Sequence, residues 1–164
     1  MDYRLEPASF EDGKQIIDIF NHYVENSFAA YPESKVPYEF FQSFLKLTQG
    51  YPFLVAKDTR GRVVGFGCLR PYSPLSTFSL AAEITNFVSP EHVGNGIGQK
   101  MLDRLLEEGQ ENGDRHYPGQ HILFKFAEPG LPQEERICGV RALCEYRAEE
   151  GAGVRRFVWM QRLV

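Results

Sequence analysis

The sequence predicts a mixed α/β domain. Three observations carry that prediction. Short apolar or alternating runs are interleaved with amphipathic stretches in the order β-α-α-β-β-β-loop-α. A turn at Asp58-Thr59-Arg60-Gly61 joins two apolar runs as a hairpin. The composition is 43% hydrophobic and 24% charged, with 13 Phe, 8 Tyr and 1 Trp, enough for one large core. A chain of 164 residues fits one domain, so a single domain is expected over residues 1–164.

Tyr3 to Glu6 alternates like a short strand. Ser9-Phe10-Glu11-Asp12 reads as a helix start, with Ser9 placed to cap it. Ile16, Ile17, Phe20, Tyr23 and Val24 follow at helical spacing. Pro32 and Pro37 break the next stretch, and Pro37 opens a second helix carrying Phe40, Phe41, Phe44, Leu45 and Leu47. Phe53 to Ala56 and Val63 to Leu69 are the two strands of the hairpin. Arg70 to Thr77 contains two prolines and two serines and is expected to be a loop. Ser79 to Val88 is a long strand. Ile97, Met101, Leu102, Leu105 and Leu106 then share a helical face, and that helix is expected to end near Gly109.

Composition excludes several classes. A net charge of −4 argues against a general nucleic-acid binder. No apolar run approaches the roughly 20 residues that span a bilayer, and the N-terminus lacks the basic-then-apolar shape of a signal peptide. Cys68, Cys138 and Cys144 cannot all pair within one chain and show no CxxC spacing. Reduced thiols in a cytoplasmic protein are expected.

The chemistry concentrates between the long strand and the last helix. Gly94-x-Gly96-x-Gly98 lets the backbone turn tightly with its N–H groups pointing one way. A helix start adds unpaired donors and a partial positive charge. Together they suit a pyrophosphate. A P-loop would need Gly-Lys-Ser/Thr, whereas Gly98 is followed by Gln99-Lys100. A dinucleotide fingerprint would follow the first strand of the fold, and this loop comes late.

The run Val88-Ser89-Pro90-Glu91-His92-Val93-Gly94-Asn95-Gly96-Ile97-Gly98 resembles motif A of the GNAT superfamily of N-acetyltransferases. Ile19 to Val24, Ala81 to Val88 and Val158-Trp159-Met160-Gln161 narrow the resemblance to the phosphinothricin/methionine sulfoximine acetyltransferase-like branch. It runs over residues 3–113 and resumes near 158. One departure is Val93, where the family frequently has Arg or Gln.

The resemblance implies a GNAT fold, a central, mixed but mostly antiparallel twisted sheet flanked by helices. It also implies acetyl-CoA as cosubstrate, no metal, and a homodimer. The strand ending at Val88 would carry a bulge and splay from its neighbour. Asn86, Phe87 and Val88 would contact the acetyl-pantetheine end. Gly94, Asn95, Gly96, Ile97, Gly98 and Gln99 would hold the pyrophosphate.

Acetyl transfer needs a neutral amine, so a proton must leave the ammonium. Glu83 lies in an otherwise small and apolar strand shortly before the cofactor segment, and the resemblance places the general base there. The bland alternative is an outward-facing strand glutamate. Arg70 opens the Pro/Ser-rich loop and is a candidate to bind an acidic substrate group, or a solvated arginine. His22 reads as structural or surface, and His92 as part of the approach turn. His116 and His121, five apart, suit no ligand pair. Cys68 reads as a small buried residue. Specificity is expected from Asn21 to Pro37 and from Arg70 to Phe78.

Residues 114–157 depart from the family. Read one base later, codons for Asp114 to Phe124 allow Ile-Asp-Thr-Ile-Leu-Ala-Ser-Ile-Ser-Ser-Leu. Those for Lys125 to Ile137 allow Asn-Ser-Pro-Ser-Leu-Ala-Phe-His-Lys-Lys-Asn-Gly-Phe. Both are the family pattern, and a compensating loss near Arg156 would restore Val158-Trp159-Met160. The family protein would then have a strand at about 117–124 and a helix at about 126–135. The alternative is a divergent C-terminal half, with His121 to Phe126 alternating like a strand and Ile137, Val140 and Cys144 on one helical face. The length of the agreement favours the frame error.

The leading expectation is therefore an acetyl-CoA-dependent N-acetyltransferase. It would act by direct transfer on a small amine such as an amino acid or analogue. The alternatives are a non-catalytic acyl-CoA-binding protein of the same fold, and an interaction module whose glycine loop is only a turn.

Overall fold

The computed structural model describes residues 2–27, 30, 32–75, 81–116 and 123–126, with backbone alone for 81, 112–116 and 123–126. The first strand, β1, is Arg4–Pro7. A 3-10 turn at Phe10–Asp12 leads into α1, Gly13–Asn26. The Asp12 carboxylate accepts from both the N–H and the hydroxyl of Ser9, at 2.9 and 2.7 Å. The second helix starts as predicted after Pro37, with a 3-10 turn at Tyr38–Phe40 before α2, Phe41–Leu47. Then come β2 (Phe53–Lys57), β3 (Val63–Pro71) and β4 (Ala81–Val88). Helix α3 is Ile97–His116 and β5 is Leu123–Phe126.

The strands lie in the order β1-β2-β3-β4-β5. The first three pairings are antiparallel and β4–β5 is parallel, so α3 is the crossover between them. The β2–β3 hairpin closes as expected. Gly61 adopts φ +79, and the Asp58 carboxylate accepts from the N–H groups of Arg60 and Arg62, both at 2.9 Å.

Alternation along β3 and β4 sends side chains to two cores. On one face Phe66, Cys68 and Phe87 pack with Ile16, Ile17, Phe20 and Tyr23 of α1 and Phe41 of α2. On the other, Leu69 and Ile84 meet Leu102 and Leu105 of α3, while Val64 and Val88 meet Ile97 and Met101. The helices therefore cover both sides of the sheet, which positions the end of β4 between α1 and the start of α3.

Four expectations are corrected. Helix α3 does not stop near Gly109; it continues to His116. Gly109 is buried. An interior glycine weakens a helix by only about 1 kcal/mol relative to alanine, and the burial of Met101 and Leu105 outweighs that.

Arg70 does not open a loop. β3 runs to Pro71, with Arg70 opposite Glu83.

No bulge interrupts β4 against β3. Their register is continuous from Gly65↔Val88 to Pro71↔Ala82, and the irregularity falls instead at Ala56/Lys57.

The stretch Asn21 to Pro37 begins as helix and not as loop, since Asn21 to Asn26 are the end of α1. Asn21 Nδ2 donates to Val36 O at 2.9 Å, and Val36 N–H donates to Asn21 Oδ1 at 2.8 Å.

β5 falls within the alternating stretch His121 to Phe126 and overlaps the end of the strand expected at 117–124, of which 117–122 lie outside the described residues. The helix expected at 126–135, or at 133–147 for the sequence as written, lies outside the described residues.

Candidate acyl-group and anion site

The site is built where β4 hands the chain to α3. Ser89 N–H donates to Val64 O at 2.8 Å, holding the exit of β4 against β3. A single 3-10 turn, Pro90–His92, follows. Gly94 and Gly96 take φ +83 and +74, left-handed conformations that strain any side-chain-bearing residue. Space above both is open, since a Cβ built on either meets nothing within 4 Å. Lys100 N–H donates to Gly96 O at 3.1 Å, so the helical ladder begins there. The amides of Ile97, Gly98 and Gln99 are then first-turn donors without partners in the ladder. They sit at the positive end of the helix dipole. Ile97, buried to 2% exposure, pins this turn to the core.

Asn86 clamps the arrangement from below. Its Nδ2 donates to Gly98 O at 2.8 Å, tying β4 to the first turn of α3. A cavity of about 240 Å³ lies over the junction. Tyr23 and Val88 form one side, and His92 to Gln99, apart from Asn95, form the other. Of the expected cofactor contacts, Val88, Gly94, Gly96, Ile97, Gly98 and Gln99 line this cavity. Asn86, Phe87 and Asn95 do not. Phe87 is core, at 4% exposure, and Asn95 Nδ2 donates to His92 O at 3.0 Å.

Among the described residues β4 pairs with β5 from Ala81 to Ile84. The described part of β5 ends at Phe126, opposite Ile84, and Thr85 to Val88 lead from there directly into the glycine turn.

Upstream on β4, Glu83 meets Arg70. Arg70 Nη2 lies 2.8 Å from Glu83 Oε2, with the Glu83 side chain 15% exposed. The two predicted site residues are thus one ion pair. Among the described residues Arg70 Nε is buried without a hydrogen-bond partner. One turn of register nearer the glycine loop, Cys68 faces Thr85. Burial pushes the Cys68 thiol up to about 12, so it stays protonated and is no acyl-accepting nucleophile at neutral pH. Glu83 and Val88 are about 17 Å apart by strand rise, an interval an extended pantetheine arm can follow.

Tyr23 is the residue that sequence reasoning missed. It was assigned only to the core face of α1. Its hydroxyl donates to Val88 O at 2.6 Å in a buried contact, and its ring packs on Phe87 at 5.0 Å between centroids. Burial raises its pKa. The available signal was the phenol itself, because a buried tyrosine hydroxyl needs a partner. His22 is exposed, and its carbonyl accepts from Asn26 Nδ2 at 2.8 Å. Among the described residues no cluster of three His, Cys, Asp or Glu could hold a metal. No helix among them is long and apolar enough to cross a membrane.

The acetyltransferase (GNAT) family profile matches residues 16–117. The chain is 30% identical over 110 residues to the phosphinothricin N-acetyltransferase of Streptomyces viridochromogenes, covering 66% of this chain and 60% of that protein. It is 30% identical over 132 residues to the L-methionine sulfoximine/L-methionine sulfone acetyltransferase of Pseudomonas aeruginosa, covering 79% and 73%. Among solved structures, it superposes on a phosphinothricin acetyltransferase from Sinorhizobium meliloti in complex with acetyl-CoA. That match has a TM-score of 0.62 and 30% identity, over 65% of this chain and 59% of the other. The chain thus spans about three fifths of the length of the first of these relatives.

Proposed function

The chain belongs to the acetyltransferase (GNAT) family, and on that premise we propose that it is an acetyl-CoA-dependent N-acetyltransferase. Its substrate would be the primary amine of an amino acid or amino-acid analogue. The observation that carries this reading is the glycine-opened start of α3, with Gly94 and Gly96 at positive φ, beneath a cavity that Val88 at the end of β4 also lines. The first-turn amides of α3 and the flanking glycines suit the pyrophosphate. The names of the two relatives support the amine class.

In this reading Gly94 to Gln99 anchor acetyl-CoA and the end of β4 aligns its thioester. The amine nitrogen attacks the thioester carbon, the carbon–sulfur bond breaks, and the thiolate of CoA takes up a proton. The proton lost from the amine passes to Glu83, directly or through water. Arg70 holds the Glu83 carboxylate in place, and the exposed part of its guanidinium is offered to an acidic group on the substrate. The same reading takes the enzyme as a cytoplasmic homodimer, which rests on the family resemblance; sedimentation and cell fractionation test it.

Titration with acetyl-CoA beside a thiol-release assay over a panel of amino acids and analogues tests the proposal. CoA release dependent on an amino-acid amine supports it. Acetyl-CoA binding with no release across the panel would make the protein an acyl-CoA binder instead.

A further inference from the structure

We propose that Asn86 is a positioning residue for cofactor binding: from behind the cavity, its side-chain amide fixes the first turn of α3 and polarises the Gln99 N–H toward the pyrophosphate of CoA. The inference rests on the cofactor reading of the cavity given above.

Helix α3 begins against β4. A Cβ built on Gly98 would stand 3.6 Å from Val88 Cγ2 and 4.0 Å from Asn86 Nδ2, so the first turn rests on these two alternate residues of the strand. Val88 is the apolar half of that seat and packs with Ile97 and Met101. Asn86 is the polar half. Its Nδ2 donates to Gly98 O at 2.8 Å across a separation of 12 residues. Room for the amide comes from β3. Asn86 is paired with Gly67, and a Cβ there would lie 3.4 Å from Asn86 Oδ1 and 2.8 Å from Leu105 Cδ1.

Gly98 O and the Gln99 N–H belong to one peptide unit. A donor on that oxygen draws electron density away from the N–H, and hydrogen bonds linked in such a chain strengthen one another. The helical ladder begins with Lys100 N–H on Gly96 O, which leaves Gln99 N–H as a first-turn donor. The N–H groups of a helix point toward its N-terminus. Here that direction leads to Gly94 and Gly96, which line the cavity together with Gln99. The dipoles thus run from the Asn86 amide through the Gly98 carbonyl to the Gln99 N–H.

The fold has little use for an amide at this position. Among the described residues Asn86 Oδ1 is buried without a hydrogen-bond partner. Its neighbours on this face of the sheet, Leu69, Ile84 and Val88, are buried and apolar. Gly98 O also belongs to the ladder of α3, so it keeps a donor when Asn86 is replaced.

The test compares the full chain with its Asn86→Leu variant by calorimetric titration with CoA, scanning calorimetry and the amide 15N resonance of Gln99. Asn86→Leu should weaken CoA binding roughly fivefold to tenfold without lowering Tm. The Gln99 resonance should move upfield in the free protein, because its carbonyl partner loses a donor. Asn86→Ala, which introduces no added bulk, should lose affinity to the same extent. Asn86→Asp should bind CoA more weakly still, since a carboxylate cannot donate to Gly98 O and adds a negative charge behind the anion. Unchanged affinity in Asn86→Leu and Asn86→Ala overturns the proposal and leaves the cofactor site standing. So does a loss of affinity accompanied by a lower Tm and an unmoved Gln99 resonance, which would be general loosening. An unsubstituted chain that does not bind CoA overturns the cofactor reading, and this inference with it.

Discussion

The Arg70 guanidinium and the Glu83 carboxylate meet at 2.8 Å across directly paired positions of β3 and β4. Each had a separate expected role, one toward the substrate and one toward the proton. Their contact makes them a unit. In the proposed reaction the arginine would orient the base, and a substrate acid reaching Arg70 would be brought beside Glu83. Glu83→Gln should keep the fold and acetyl-CoA affinity but lower amine acetylation about 10²-fold or more. The defect should shrink as pH rises, because more of the amine is already neutral. A pH–rate profile identical in shape to that of the unsubstituted enzyme would remove Glu83 from the role.

Gly96 combines φ +74 with open space above it. Gly96→Trp should abolish acetyl-CoA binding by placing an indole over the first-turn amides, while thermal unfolding remains cooperative. Calorimetric titration reads the first and scanning calorimetry the second. Unchanged affinity would mean the anion sits elsewhere.

Tyr23→Phe deletes the hydroxyl that holds Val88 O and keeps the ring against Phe87. Leaving a buried carbonyl without its donor should cost about 1–3 kcal/mol of stability. Because the same carbonyl lies in the cavity wall, the KM for acetyl-CoA should rise several-fold while the KM for the amine stays near its original value. Equal changes in both constants would indicate only a general loosening of the fold.

Lys57 Nζ contacts both Glu6, at 2.5 Å, and Asp12, at 2.8 Å, joining β1, β2 and the entry to α1. Burial alone would raise the Asp12 carboxyl, but hydrogen bonds from Lys57 and Ser9 outweigh it and hold the carboxyl below its ordinary range. Hydrogen bonds to Asp12 and Glu6 raise Lys57. Asp12 therefore stabilises the fold above its unfolded pKa near 3.9, and that contribution is lost as pH falls through the lower folded value. Lys57 contributes fully below about pH 10.4, and that part is lost only at more alkaline pH. Lys57→Met should destabilise by about 3 kcal/mol at neutral pH, since it leaves Asp12 buried and unpaired. The difference in Tm from the original protein should narrow toward pH 3. A constant difference from neutral to acid pH would refute the linkage.

The coding DNA tests residues 114–157. Read one base later from Asp114, it should be open to about Arg156 and should encode Ile-Asp-Thr-Ile followed by the Asn-x-x-Ser and Lys-x-Gly-Phe patterns of the family. A stop codon in that frame, or other residues, would establish the written sequence as a divergent C-terminal half. Intact mass then tells which version the cell makes.

The elements whose causes are local were legible in the residues alone. Helical spacing from Ile16 to Tyr23 marked the buried face of α1, Asp58 to Gly61 marked the hairpin, and Gly94 and Gly96 marked a backbone turn that only glycine makes without strain. The proposed pyrophosphate site rests on that turn opening a helix, which is again a short-range property. Tertiary structure decided whatever depends on register between distant segments. Arg70 meets Glu83 because β3 and β4 pair in one frame and not another. Tyr23 reaches Val88, 65 residues away, because α1 lies across the end of β4. Gly109 does not end α3, because burial against the sheet outweighs the local preference to stop. Local sequence set conformational preferences of about 1 kcal/mol each, and packing of the two faces of one sheet chose among them.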